Sequence, residues 1–199
     1  MKFFNNLVKN KSLILIILIL DIIGVIFAVY TYRYDILKNF NPRNFFIIPF
    51  FMVSFWLFLF AAIFNFYIYK DREIPVILAG VAFIYSFVYG FGSAVFYPLF
   101  MTFVRGVTLY HVWNVFAHGF VGLQSLMFLS KTKSPKIISF LFIFSIFFVK
   151  DILDIFYGGF LYFVNFNFPY FLKIIVISVI IAFQLIALLL FWRADKRLK

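Results

Sequence analysis

Cysteine is absent from the 199-residue chain, which removes disulfide frameworks, thiolate metal sites, iron–sulfur clusters and cysteine nucleophiles, and leaves the redox compartment open. Charge is scarce too. Only 13% of residues are Asp, Glu, Lys or Arg, against roughly 25% in a soluble domain, so there is too little polar surface to cover a water-soluble globule. The chain has no G-x-S-x-G, no Walker loop, no glycine-rich dinucleotide fingerprint and no H-E-x-x-H, so nucleotide chemistry and the common hydrolase templates lack their residues. Histidine occurs only twice, at positions 111 and 118. The spanning serines Ser86, Ser93 and Ser125 stand without a base at nucleophile spacing and read as residues bonded to their own helix.

What is present is apolar. Hydrophobic residues make up 66% of the chain and 35 residues are Phe; the mean hydropathy is +1.08. A bilayer is the solvent that fits. Eighteen basic residues against seven acidic ones leave a formal charge of +11, which in a soluble protein would suggest nucleic acid. Here the basic residues fall mainly in short segments between apolar runs, where they suit a cytoplasmic face and its anionic lipid headgroups, and nucleic acid is not expected as a partner. Protein partners are unreadable.

A spanning requirement of about 20 apolar residues predicts an all-α, polytopic membrane bundle of about six helices in one domain, residues 1–199. The expected spans are Ser12–Tyr30, Asn44–Tyr69, Pro75–Val104, Gly106–Ser130, Lys136–Tyr162 and Phe168–Trp192. The basic start Met1–Lys11 precedes a run long enough to span and without a small-residue cleavage site, so the first span is expected to be a retained anchor. The third span is expected to bend or break near Gly90–Pro98, where Gly90, Gly92 and Pro98 interrupt it; those glycines would otherwise serve close helix contact. With six crossings, twelve basic residues, including Lys2, Lys70, Lys131, Lys196, Arg197 and Lys199, share one side. The other side holds mainly Arg33, Lys38, Arg43 and Arg105. This predicts a multi-pass protein of the cell membrane with both termini cytoplasmic, although the link containing Arg33, Asp35, Lys38, Asn41, Pro42 and Arg43 opposes it locally. Tyr and Trp near the span ends suit the interfacial belt. The many Phe residues read as lipid-facing and packing groups, since pairs such as Phe45-Phe46 and Phe147-Phe148 cannot place both rings on one helix face.

Ionisable groups within spans cost at least about 2.5–3.5 kcal/mol each at a helix centre, so they usually face the bundle, paired or wetted. They are Asp21, His111, His118, Lys150, Asp151 and Asp154, with Asn65, Asn114 and Gln124 as neutral companions. At about 1.5 Å rise per residue, His118 and Asp151 both lie roughly 20 Å from the Lys131–Lys136 link, and His111 and Asp154 both roughly 30 Å. Consecutive spans joined by a short link usually pack antiparallel, so His118 is expected to meet Asp151, and His111 to approach Asp154. His111, Asn114 and His118 share one helix face, as do Asp151 and Asp154. The result would be one polar seam, reached from below by Asp21 if the first span packs beside the fourth.

Such a seam admits several chemistries. It can relay a proton or bind a small cation or polar solute. A divalent metal held by His118, Asp151 and Asp21 would make a membrane-embedded enzyme acting on a lipid or quinone. Haem is disfavoured, because two histidines on one face of one helix cannot sandwich a porphyrin. A satisfied polar network that fixes helix register, or a scaffold of a larger membrane complex, uses the same residues without chemistry.

The segments Asp21-Ile-Ile-Gly24 with Tyr30-Thr-Tyr32, Tyr85-Ser-Phe-Val-Tyr-Gly90, Ala117-His118-Gly-Phe-Val-Gly-Leu-Gln124 and Lys150-Asp151-Ile-Leu-Asp154 resemble, in that order, the uncharacterised membrane family called domain of unknown function 1405. In this chain Ala117 stands for the family's Ser, Lys150 for its Asn and Ile155 for its Tyr, and only Pro49-Phe50 matches its proline-rich stretch. The resemblance covers nearly the whole chain and implies a small multi-pass membrane protein. It picks out His118, Gln124, Asp151 and Asp154, and brings no activity with it.

Overall fold

The computed structural model describes residues 2–38, 52–156 and 167–194, without side-chain placement for 2–5 and 34–38. Among these residues the chain is all-helical. The elements are α1 (Lys2–Lys9), α2 (Lys11–Lys38), α3 (Val53–Tyr69), α4 (Val76–Phe100), a π-helical turn (Met101–Arg105), α5 (Leu109–Lys131), α6 (Ile137–Phe156) and α7 (Tyr170–Trp192). Helix is the conformation such apolar runs require, because it pairs every backbone N–H and C=O within the segment where lipid offers no partner.

Local chemistry sets the boundaries. Asn10 ends α1, and its side-chain oxygen accepts from Leu13 N (3.1 Å) to start α2. Pro75 and Pro169 hold the N-caps of α4 and α7, where a missing N–H costs nothing. Thr108 caps α5 in extended backbone, its hydroxyl accepting from His111 N (3.2 Å). Between the π-turn and that cap the chain reverses through Gly106 at φ 77°, a conformation that favours glycine.

Successive helices alternate in direction, because their links meet at one end. The Lys11 ammonium at the start of α2 donates to Ile68 O (3.0 Å) and Tyr69 O (2.8 Å) at the end of α3 and pairs with Asp71 (2.5 Å). Lys133, after α5, pairs with Glu73 before α4 (2.9 Å), and the Ser134 hydroxyl donates to Trp192 O at the end of α7 (3.5 Å). Short α1 packs against α5 and α2. This end gathers Lys9, Lys11, Lys70, Arg72, Lys131, Lys133, Lys136 and Arg193 against Asp71 and Glu73.

The centre of the bundle is α4, which packs against α3, α5, α6 and α7. Of its apolar window 67% is buried, against 28–50% for the other three long helices. Small residues allow this. A Cβ on Gly90 would lie 2.6 Å from both Gly122 Cα and Gly122 N and 2.9 Å from His118 O, so α4 and α5 cross backbone to backbone. Phe64 of α3 stacks on Phe128 of α5 at 4.2 Å, both fully buried. The outer surface is apolar: Ile16, Ile23 and Ile26 of α2, Ile138 and Phe142 of α6, and Leu185 of α7 are all exposed, far more than a soluble monomer tolerates in one continuous coat. On α6, Phe147 is buried while Phe148 is 53% exposed, as the one-face argument requires.

Among the described residues, four helices are long and apolar enough to cross a membrane: Lys11–Arg33, Val76–Arg105, Leu109–Lys131 and Tyr170–Trp192. The helix described within the expected second span, Val53–Tyr69, is 17 residues, and α6, at 20 residues, carries Lys150, Asp151 and Asp154 near its end. The expected second-span start at Asn44, the fifth-span end at Tyr162, the link residues Asn41, Pro42 and Arg43, the Phe45-Phe46 and Pro49-Phe50 pairs, and the terminal Lys196, Arg197 and Lys199 lie outside the described residues. The third span is not broken at Gly90. Helical winding persists through Gly90, Gly92 and Pro98, and the irregularity follows as the π-turn at Met101–Arg105. The reason is the neighbour: Gly90 serves close packing against Gly122, and π-turns relieve strain within a continuing helix.

Candidate functional site

The polar residues within the apolar helices are inside the bundle. Asp21, His111, Asn114, His118, Gln124, Lys150 and Asp154 are buried, and Asp151 is half-buried. They form three clusters in place of one seam, because α5 and α6 are not neighbours and the partners come mostly from other helices.

The first cluster joins α2, α3 and α5. Asn65 Nδ2 donates to Asp21 Oδ2 (2.7 Å) and to Gln124 Oε1 (2.7 Å), and Gln124 Nε2 donates to Asp21 Oδ1 (3.0 Å). Asp21 is 1% exposed, and Asn65 Oδ1 is buried without a partner. Both carboxylate oxygens are therefore held by neutral amides, and among the described residues no cationic side chain pairs with them. The expected approach of the first span to the fourth is present here, through Gln124 and not through His118.

His118 builds the second cluster. Its Nδ1 lies 3.0 Å from Asn114 O and its Nε2 3.0 Å from the Ser54 hydroxyl. A carbonyl can only accept, so Nδ1 carries a proton and donates to Asn114 O, and the Ser54 hydroxyl, which can donate or accept, completes the ring at Nε2. The ring stacks on Tyr97 (5.7 Å, 16°) and lies 5.7 Å from Phe58. His111 sits a step further along, against Thr108 Oγ1 (2.7 Å) and within 5.9 Å of the same Tyr97 ring. Asn114 donates to Tyr110 O of its own helix (2.8 Å).

The third cluster lies between α6, α4 and α7. Lys150 Nζ pairs with Asp154 Oδ2 (2.7 Å), Tyr89 OH donates to the same oxygen (3.3 Å), and the ammonium sits 4.7 Å from the Tyr89 ring centroid. Both ions are almost fully buried, and Asp154 Oδ1 and Tyr85 OH have no partner. Asp151 faces α7, where Gln184 Nε2 donates to it at 2.6 Å.

The pairings His118 with Asp151 and His111 with Asp154 are thus not made. α4 occupies the place that the hairpin argument assigned to direct contact. The metal set His118, Asp151 and Asp21 is also corrected: each belongs to a different cluster with its own partners, and among the described residues no group of three His, Asp or Glu converges. Sequence reasoning missed Ser54, Tyr89 and Gln184 as partners. The tyrosines at 85 and 89 were visible as a pair spaced i and i+4, one helix face.

The clusters differ in electrostatics. In the third, Lys150 is the counter-charge of Asp154 while Asp151 is held by the amide of Gln184, and in the second both ring nitrogens of His118 have a neutral hydrogen-bonding partner. The first holds a carboxylate whose charge is not balanced by any described side chain. Comparison with family models, curated proteins and solved structures finds no match to this chain.

Proposed function

We propose that this chain crosses the membrane six times, with both termini and the basic end in the cytoplasm against anionic headgroups, and that it transports or relays a proton or small cation that binds at Asp21. The alternation in direction of α2 to α7 and the gathering of eight basic residues at one end support the crossing number and orientation; α6 crosses with its ionic residues turned to the bundle. The resemblance to the domain of unknown function 1405 forms part of this reading and concerns placement.

One observation carries the choice of Asp21. It is a carboxylate 1% exposed in an apolar bundle, with amide donors on both oxygens and no cationic partner among the described residues. Uncompensated charge is costly in lipid, so the group serves best as the acceptor of a mobile positive charge. The amides of Asn65 and Gln124 hold it in place, and on turning their oxygens inward they would supply further ligands for a small cation. Asn65 Oδ1, unpartnered and buried, is such an oxygen. The intact Lys150–Asp154 pair makes that cluster a register lock instead.

The test is flux into proteoliposomes carrying pH- and cation-sensitive dyes. Parent protein should conduct, and Asp21→Asn should reduce flux to the level of empty vesicles while still inserting. Equal flux in the variant, or none in the parent, removes the proposal and leaves Asp21 as a packing element.

A further inference from the structure

At the basic end, a cleft of about 260 Å³ opens between the α3–α4 link and the end of α5. Its charged lining is Asp71, Arg72, Glu73, Lys131 and Lys133, and its floor and wall include Ile68 and Ile74. The two acids are already matched: Asp71 by Lys11 and Glu73 by Lys133. Arg72 and Lys131 are exposed, and no described residue pairs with either. The cleft therefore carries an excess of two positive charges, one from the α3–α4 link and one from the end of α5, beside the apolar Ile68 and Ile74.

We propose that this cleft binds a phosphate-bearing anion, held between the Arg72 guanidinium and the Lys131 ammonium. Arginine's planar fork suits two phosphate oxygens, and lysine adds a compact charge on the remaining side. Arg72 follows the turn made at Asp71 (φ 52°), beside the Lys11 ammonium that donates to Ile68 O and Tyr69 O and pairs with Asp71. Ile68 and Ile74 give the site an apolar margin that an acyl glycerol backbone would cover, which makes a phospholipid headgroup the fitting source. The proposal extends the placement of the basic end against headgroups, but binding in micelles tests it independently of which way the chain is oriented.

The experiment is native mass spectrometry of the full chain in detergent, titrated with phosphatidylglycerol, with inorganic phosphate in a parallel arm. The double variant Arg72→Gln/Lys131→Gln is compared with Lys136→Gln/Arg193→Gln, which removes the same charge at the same end outside the cleft. The cleft variant should lose at least about tenfold in retained lipid, and the control less than about twofold, since only the first removes charge-assisted contacts to the anion. Displacement by millimolar inorganic phosphate would assign the site to a soluble phosphate; resistance to it would assign the site to lipid. Equal losses in both variants, or full retention in the cleft variant, would overturn the proposal. All four substituted side chains are exposed, so unchanged thermal unfolding serves as the folding check.

Discussion

Replacing Gly90 by Ala tests the packing that the whole arrangement depends on. The added methyl carbon would stand 2.6 Å from Gly122 Cα and N and 2.9 Å from His118 O, whereas carbon atoms rest at about 3.5–4.0 Å. The obstructing atoms are backbone, so no rotamer change relieves them, and α4 and α5 must separate by about 1 Å. Overpacking of this kind costs about 1–3 kcal/mol, of which the better helix propensity of Ala returns up to about 1 kcal/mol. Gly92→Ala is the control, because its nearest neighbour, Ile180 Cγ1, would be 3.6 Å away; it should be neutral or stabilising by about 0.5–1 kcal/mol. Gly122→Ala meets Phe91 atoms at 3.1 Å and should fall between them. Unfolding in mixed micelles by denaturing detergent ranks the three. A Gly90→Ala protein no less stable than Gly92→Ala would refute the backbone crossing of α4 and α5, and with it the position of His118.

Asp154→Asn should destabilise by about 3–5 kcal/mol, because it strands the buried Lys150 charge, while Asp151→Asn, half-buried and facing a neutral amide, should cost less than about 1 kcal/mol; the same unfolding assay separates them. Ser54→Ala removes the hydrogen-bond partner of His118 Nε2 and should cost about 1 kcal/mol, with the His118 ring signals in nitrogen NMR shifting as the nitrogen loses its bond. Thr108→Val deletes the cap of α5 and should lower stability by about 1 kcal/mol, with faster amide exchange confined to the first turn of that helix.

Which residues turn inward was legible in the sequence, and which residues they meet was not. Asp21, His111, His118, Lys150 and Asp154 stand out because charge in an apolar run has to be sheltered, and all five are buried. Their partners depend on the order of helices in space. Loop length suggested that the fourth and fifth spans form a pair, yet the third, whose Ala79, Gly80, Ala82 and Gly90 present little side-chain bulk, fits the crowded centre and separates them. Gly90, read along the chain with Gly92 and Pro98, suggested a bend or break; the facing Gly122 distinguishes that from a close crossing. Asn65 was recognisable as a polar companion, but its double donation to Asp21 and Gln124 needs three helices at once, and depth along one axis does not fix their rotation.

Infrared difference spectroscopy on the reconstituted protein addresses Asp21 most directly. Proton or sodium jumps should produce a carboxyl band change that disappears in Asp21→Asn and persists in Asp154→Asn, because Asp154 has Lys150 as a built-in counter-charge and Asp21 has none among the described residues. A spectrum with no band assignable to Asp21, or one unaltered by the Asn substitution, would contradict its role as the acceptor of a mobile cation.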